Sequence, residues 1–542
     1  MITHASADLL FTGGTVHTGD PDNPRATAVA VTAGIVTALD ADALAQAGPG
    51  TEHVDLAGGA LLPSFGDGHV HPIMGGLGLN GVPVRGLTSV EQIVAAVAAY
   101  ATEHPDTEWI QGDSFDPWLA EDGRFDARWL DEAVPDRPVV LHSMDHHTLW
   151  VNSEALRRAG LTAETPEPAD GVIVRRPDGA PLGTLREFGA MAPVTALIPE
   201  PTLEQQVEAL LAATRLLAAA GVTWVQDAWV EPHQVEPWIA AASSGRLSVR
   251  ANLAFLLQPE HWREQLDALP ELRARVERGA AGRVTAHSVK FFADGVIESG
   301  TAALLQPYTD CPHSHGVANW GPEQLAEAVA AADRAGFQAH IHAIGDAGIR
   351  QALDAVEATA TRNGPRDRRP VLAHVQLLDP ADLPRFAALG VIANFEPLWA
   401  QTDPLMTELT IPRIGPDRGR HQYRIAALLA SGAAVSFGSD WPVTRYEPLA
   451  GLATAVTRQT PAGLPAEGWL PEERITTAQA LAAYSAGVAH QAFEDGRWGV
   501  IRPGTRADLV QLAADPYTVP PGGLASTPVL GTWLGGTRTH TA

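Results

Sequence analysis

Between residues 222 and 440, short apolar segments alternate with alanine-rich helical ones, and this alternation restricts the middle of the chain to a parallel α/β architecture. Leu203-Glu-Gln-Gln-Val-Glu-Ala-Leu-Leu opens a helix that stops at Gly221, and Pro322-Glu-Gln-Leu-Ala-Glu-Ala-Val opens another that stops at Gly336. Both space their apolar residues at the helical period and end on a glycine suited to a cap. Strands are expected at 222–227, 338–342, 371–374, 391–394 and 434–440, with an earlier one ending in Asp67-Gly-His-Val-His71. From His71 to residue 222 is about five times the ~30 residues that a βαβ unit needs. Roughly 78–200 is therefore expected to form an inserted subdomain, with its own strand at 138–142.

The two ends of the chain read differently. Residues 8–56 and the last fifty or so are short strands broken by glycines, and neither end can bury a face alone. One composite β-sandwich built from 1–60 and 494–542 is the economical solution, leaving 61–493 to the barrel. With 45% hydrophobic and 18% charged residues, the 542-residue chain can bury a large core. Its formal charge of -26 argues against nucleic acid or an anionic membrane as partner. The single cysteine, Cys311, excludes an internal disulfide framework and a multi-cysteine metal site. No basic-then-apolar leader is apparent, and no run approaches ~18 apolar residues, so a cytoplasmic protein is expected.

Chemistry-bearing residues recur at strand ends. His69 and His71 leave the same face of their strand, because strand side chains alternate, and two neutral imidazoles can grip one divalent cation. Lys290, His342, His374 and Asp440 occupy matching positions in later segments. In a parallel barrel all such ends open on one face, so residues hundreds of positions apart can converge. Around them stand candidates for substrate contact: Asp227 at a strand end, His147 in the insertion, His340 two residues before His342, and Glu396 in Asn394-Phe-Glu-Pro. Trp229, Trp399 and Trp441, with Trp118 and Trp150 in the insertion, are candidates for aromatic walls. Asp346 reads as a helix cap.

The segments "PSFGDGHVHP", "VKFFADG", "HAIGDAG", "LAHVQ", "FGSDWPV" and "RPGTRADLV" resemble those of the amidohydrolase superfamily, in its YtcJ-like branch, which includes N-substituted formamide deformylases. The resemblance spans nearly the whole chain. It implies a (β/α)8 TIM-like barrel flanked by a sandwich from both termini, matching the pattern above. It further implies two divalent metals, zinc being the expected ion. His69, His71 and Asp440 would hold the first, His342 and His374 the second, and a carboxylated Lys290 would bridge them. An ammonium cannot ligate, but a carbamate offers two anionic oxygens. The implied activity is hydrolysis of a C–N amide bond in a small organic molecule, of N-formyl or N-acyl amine type, by hydroxide that the metals generate from water. Asp440 would be base and then acid. Deaminases of the superfamily typically carry a glutamate three residues after the strand-five histidine, whereas His342 is followed by Ala-Ile-Gly. Hydrolysis of a cyclic amide, carbamate or ester stays open, as do a non-catalytic metabolite-binding descendant and a homodimer. The chain departs from the branch at His146, where glycine is usual, at His340, where a small or apolar residue is more frequent, and at Glu396, where glutamine is.

Overall fold

The structure is a computed structural model that describes residues 6–144, 146–168 and 171–542. Eight parallel strands form one sheet in sequential order: β1 (Phe65–Val70), β2 (Val222–Val230), β3 (Arg250–Leu256), β4 (Val284–Phe292), β5 (Gln338–Ala343), β6 (Val371–His374), β7 (Ile392–Phe395) and β8 (Ala434–Phe437). The fold is a nearly closed (β/α)8 barrel. Between β1 and β8 the sheet has no ladder among the described residues, and polar contacts bridge the seam instead. The Asp440 N–H donates to His69 O at 2.7 Å. Gln491 Nε2 donates to Gly68 O at 2.8 Å, while its Oε1 accepts from Ser436 Oγ at 2.6 Å. Gln491 belongs to the helix Ala486–Gln491, which follows Thr477–Tyr484.

The barrel interior below the strand ends is polar rather than a packed aliphatic layer. Asn252 Nδ2 lies 2.9 Å from Gln226 Oε1 and 2.8 Å from Ser288 Oγ, which donates to Gln338 Oε1 at 2.8 Å. Gln338 Nε2 reaches Gln491 O at 3.0 Å, and Asn394 Nδ2 reaches Ser436 Oγ at 3.0 Å. All these side chains are buried, so the network fixes strand register where mispairing would strand polar groups.

β3 is not among the strands expected from the sequence, because its short apolar run Arg-Ala-Asn-Leu-Ala-Phe-Leu carries no strong turn signal of its own. The segment before His71, expected as one strand, is two. Ala60–Pro63 instead pairs antiparallel with Leu509–Leu512 in a six-stranded sheet, and Ser64 alone separates it from β1. A second sheet of four strands, Leu9–Thr12, Val29–Thr32, Ile35–Leu39 and Glu52–Asp55, shares a core with it through Phe11, Val31, Leu61, Leu509 and Trp533.

A separate compact unit comprises Pro72–Leu210 with Trp441–Arg445. It has a five-stranded sheet ordered Val172–Arg175, Pro181–Arg186, Thr148–Val151, Val139–Ser143 and Ile110–Phe115. Trp150 is the centre of its core: the ring packs on Phe115, Phe125 and Trp129, and Nε1 donates to Asp126 O at 3.1 Å. No helix among the described residues is long and apolar enough to cross a membrane.

The terminal "RADLV" segment works through Asp508. Its carboxylate, 2% exposed, pairs with Arg250 of β3 and accepts the Gly535 N–H at 2.6 Å, while its carbonyl accepts the Ser64 N–H at 3.0 Å. Removing one member of a buried ion pair leaves the other charge uncompensated. Asp508→Ala is expected to destabilise the protein by about 3–5 kcal/mol, read as a lower denaturation midpoint. Arg502→Ala, exposed in the same motif, should stay within about 0.5 kcal/mol of wild type.

Candidate metal centre

The alternation of β1 turns Asp67 and His69 inward, and His71 follows one residue past the strand. His69 Nε2 lies 3.5 Å from Asp440 Oδ1, and His71 Nε2 lies 2.9 Å from the same oxygen. Lys290 Nζ, from β4, is 3.4 Å from His69 Nε2. One ligand atom each from His69, His374 and Asp440 fall within 4.8 Å of one another, the one such group among the described residues. His342 packs edge-on against His374, with ring centroids 4.6 Å apart. The structure thus brings together all six expected metal-site residues, each buried.

Two of these residues have left-handed backbones. His374 has φ 75° and Asp440 φ 53°, with Val375 at φ 43°. Such conformations cost about 1–3 kcal/mol each and persist only where the surroundings over-determine them. The surroundings here are specific. The Val375 N–H bonds to Ala343 O at 3.1 Å. Asp67 accepts the N–H groups of His69 at 3.2 Å and Ser439 at 3.0 Å, and also the Ser439 hydroxyl. Burial pushes the Asp67 carboxyl up to about 7 against these bonds. Asp294 does similar work beside His342, accepting backbone N–H groups of Ala303 (2.9 Å), Ile344 (3.0 Å) and Gly345 (2.8 Å). The Ala303 carbonyl comes so close to Gly345 that a Cβ there would meet it at 2.0 Å. Neither aspartate was singled out from the sequence, although Asp67 shares the period-two face of His69 and His71.

Burial brings the Lys290 amine down to about 8, opposed by Asp440 and Glu396. Burial, with Lys290 and the neighbouring imidazoles, holds His69 well below the ordinary histidine value. Burial would raise Asp440, but the hydrogen bond and charge of His71, with His374 and Lys290, leave it below the usual carboxylate range. Imidazole nitrogens and an ionised carboxylate converging in a buried space are the donor set a divalent cation requires. The residues present therefore fit a metal.

The remaining expected residues divide. Glu396, expected to face substrate, is fully buried with Oε2 2.8 Å from His374 Nδ1, so it works on the imidazole rather than on an open cavity. His340 is fully buried too, with Nε2 3.0 Å from His69 Nδ1. Asp227, 3% exposed, accepts from Trp238 Nε1 at 2.9 Å, and burial pushes its carboxyl up to about 7. Trp399 stacks on His374, centroids 5.3 Å apart and planes 6° apart. Trp229 packs on Phe292, whose ring centroid lies 4.6 Å from Lys290 Nζ. His147 and Trp441 belong to the Pro72–Leu210 unit, where His147 Nδ1 lies 2.8 Å from Glu187 Oε2 and the Trp441 ring covers Gly75.

A (β/α)8 barrel with histidines, a lysine and an aspartate gathered at its strand ends is the architecture of a metal-dependent hydrolase. Residues 52–540 match the amidohydrolase family model, and the chain belongs to that family. It is 33% identical to Protein LONG AFTER FAR-RED 3 of Arabidopsis thaliana, over 98% of this chain and 92% of that one. It is 27% identical to N-substituted formamide deformylase of Arthrobacter pascens, over 98% and 97%. Among solved structures, an uncharacterized metal-dependent hydrolase from Pyrococcus furiosus superposes with a TM-score of 0.73 at 25% identity, covering 94% of this chain and 100% of that one.

Histidine ligands are oriented by the acceptor on their second nitrogen, and losing it costs about 10–100-fold in metal affinity. Glu396→Ala is expected to weaken metal retention by about that factor, with Glu396→Gln milder because its amide oxygen still accepts. Competition with a chelator measures this. A Glu396 that read substrate would instead change KM with metal content intact.

Proposed function

We propose that this chain hydrolyses the C–N amide bond of a small organic molecule, of N-formyl or N-acyl amine type, using two divalent ions, zinc in the first instance. The convergence of His69, His374 and Asp440 around the buried Lys290 is the observation that carries this reading. The likeness to N-substituted formamide deformylase supports the bond type. His69, His71 and Asp440 would hold one ion and His342 and His374 the other, with Lys290 bridging as its carbamate. That modification forms when the neutral amine attacks the carbon of CO2 and releases a proton, leaving two anionic oxygens. A buried amine brought down to about 8 has a usable neutral fraction near neutral pH.

When bound, the ions supply Lewis acidity, polarising the scissile carbonyl and acidifying water. The chain's own groups do the rest. Asp440, ionised and held by the His69 carbonyl through its N–H, takes the proton of the attacking water and passes it to the departing amine nitrogen. Glu396 holds the His374 proton on Nδ1, leaving the Nε2 lone pair available. His342 donates from Nε2 to Gly295 O at 3.2 Å, which leaves its lone pair on Nδ1. The Trp229–Phe292 pair supplies apolar surface beside Lys290.

Elemental analysis of protein purified without chelator or affinity metal is the first test. About two equivalents of metal per chain support the bridged site, and turnover of N-formyl or N-acyl amines identifies the bond. About one equivalent means an uncarboxylated Lys290 and a mononuclear enzyme, and none after resupply with metal and bicarbonate ends the catalytic reading. On an accepted substrate, Asp440→Asn should lower kcat by about 10²–10⁴-fold.

A further inference from the structure

We infer that His340 is a positioning residue that holds His69 in its metal-binding tautomer, and that the protein gives up folding stability to keep it there. This rests on the metal-site reading above. His69 Nε2 is the nitrogen that faces Lys290 Nζ at 3.4 Å and Asp440 Oδ1 at 3.5 Å, so as a metal ligand His69 keeps its lone pair on Nε2. The His69 proton is then on Nδ1, and the group it meets is His340 Nε2 at 3.0 Å. Accepting there forces the proton of the neutral His340 onto its own Nδ1. That nitrogen is buried and finds no hydrogen-bond partner among the described residues.

The arrangement differs from the other supports in this site. His374 leans on a carboxylate and His342 on a carbonyl, and both leave the supporting group able to accept without acquiring an orphaned donor. His340 passes the cost on to a buried N–H with nowhere to go. Its place is set by register: it pairs with Lys290 across β4 and β5, one inward-facing position below His342. A leucine at this level would pack without an unsatisfied polar atom, and an unsatisfied buried donor is destabilising. A residue kept for packing alone has no reason to be histidine here.

The two roles predict opposite signs. In His340→Leu, the metal-free protein should melt no lower than wild type, because the orphaned N–H is gone. Its affinity for Zn2+ added alone, measured by chelator competition, should fall about 10–100-fold, because His69 Nδ1–H has lost its acceptor. His340→Gln, whose amide oxygen can accept that proton, should recover most of the affinity. The inference is overturned if His340→Leu binds Zn2+ as wild type does. It is equally overturned if His340→Leu and His340→Gln both lose affinity together with a large drop in metal-free melting temperature, the mark of a packing role. A wild-type protein that takes up no Zn2+ would overturn the metal-site reading itself, and this inference with it.

Discussion

Everything at the metal centre depends on how the last barrel strand meets the first. Parallel barrels are closed by a ladder, but at this seam the backbone supplies one contact, Asp440 N–H to His69 O. Side chains supply the others. Asp67 reaches across to Ser439, and Gln491 spans Gly68 and Ser436. The seam therefore runs through two candidate metal-site residues, and a hydrogen bond that closes the barrel also helps set the distance between His69 and Asp440. Fold and site are held by the same atoms there, which explains why Asp440 can sit at a left-handed φ.

Three of the four imidazoles meet a different group from behind, a carboxylate for His374, a carbonyl for His342 and an imidazole for His69, whereas the buried His71 Nδ1 has no such partner among the described residues. These choose which nitrogen carries the proton and so which lone pair faces inward. Trp399 adds a flat wall against His374, limiting rotation of a ring whose orientation Glu396 already favours. The result is a set of donors with little freedom to rearrange, which lowers the reorganisation needed to bind a cation.

The barrel, and the placing of six candidate metal-site residues at its strand ends, were legible because both follow from short-range rules. Period-two strands, helix caps and residues at strand ends need no knowledge of distant partners. What could not be read was which residue faces which. Glu396 is 22 positions from His374 and His340 is 271 from His69, so nothing local shows that these two side chains meet buried imidazoles. Trp441, adjacent to Asp440 in sequence, belongs to a different compact unit. A one-residue step at a strand end crosses a boundary that no local pattern marks. The strand Arg250–Leu256 escaped for the converse reason: a short apolar run is ambiguous until neighbours on both sides are known.

The polar floor of the barrel then acquires a reason. A metal site of buried imidazoles, one amine and two carboxylates places several unlike charges in a low-dielectric space, where small displacements carry large energies. An aliphatic floor could slip by a rotamer at little cost. A floor of Gln226, Asn252, Ser288 and Gln338, with Asn394 and Ser436 bonded on the opposite wall, cannot shift without breaking buried hydrogen bonds. Gln338 lies on the same strand as His340 and His342, two and four residues below them, so inward-facing positions of β5 run from floor to support to ligand. Rigidity is carried upward along that one strand, and part of its cost falls on the unpartnered Nδ1 of His340.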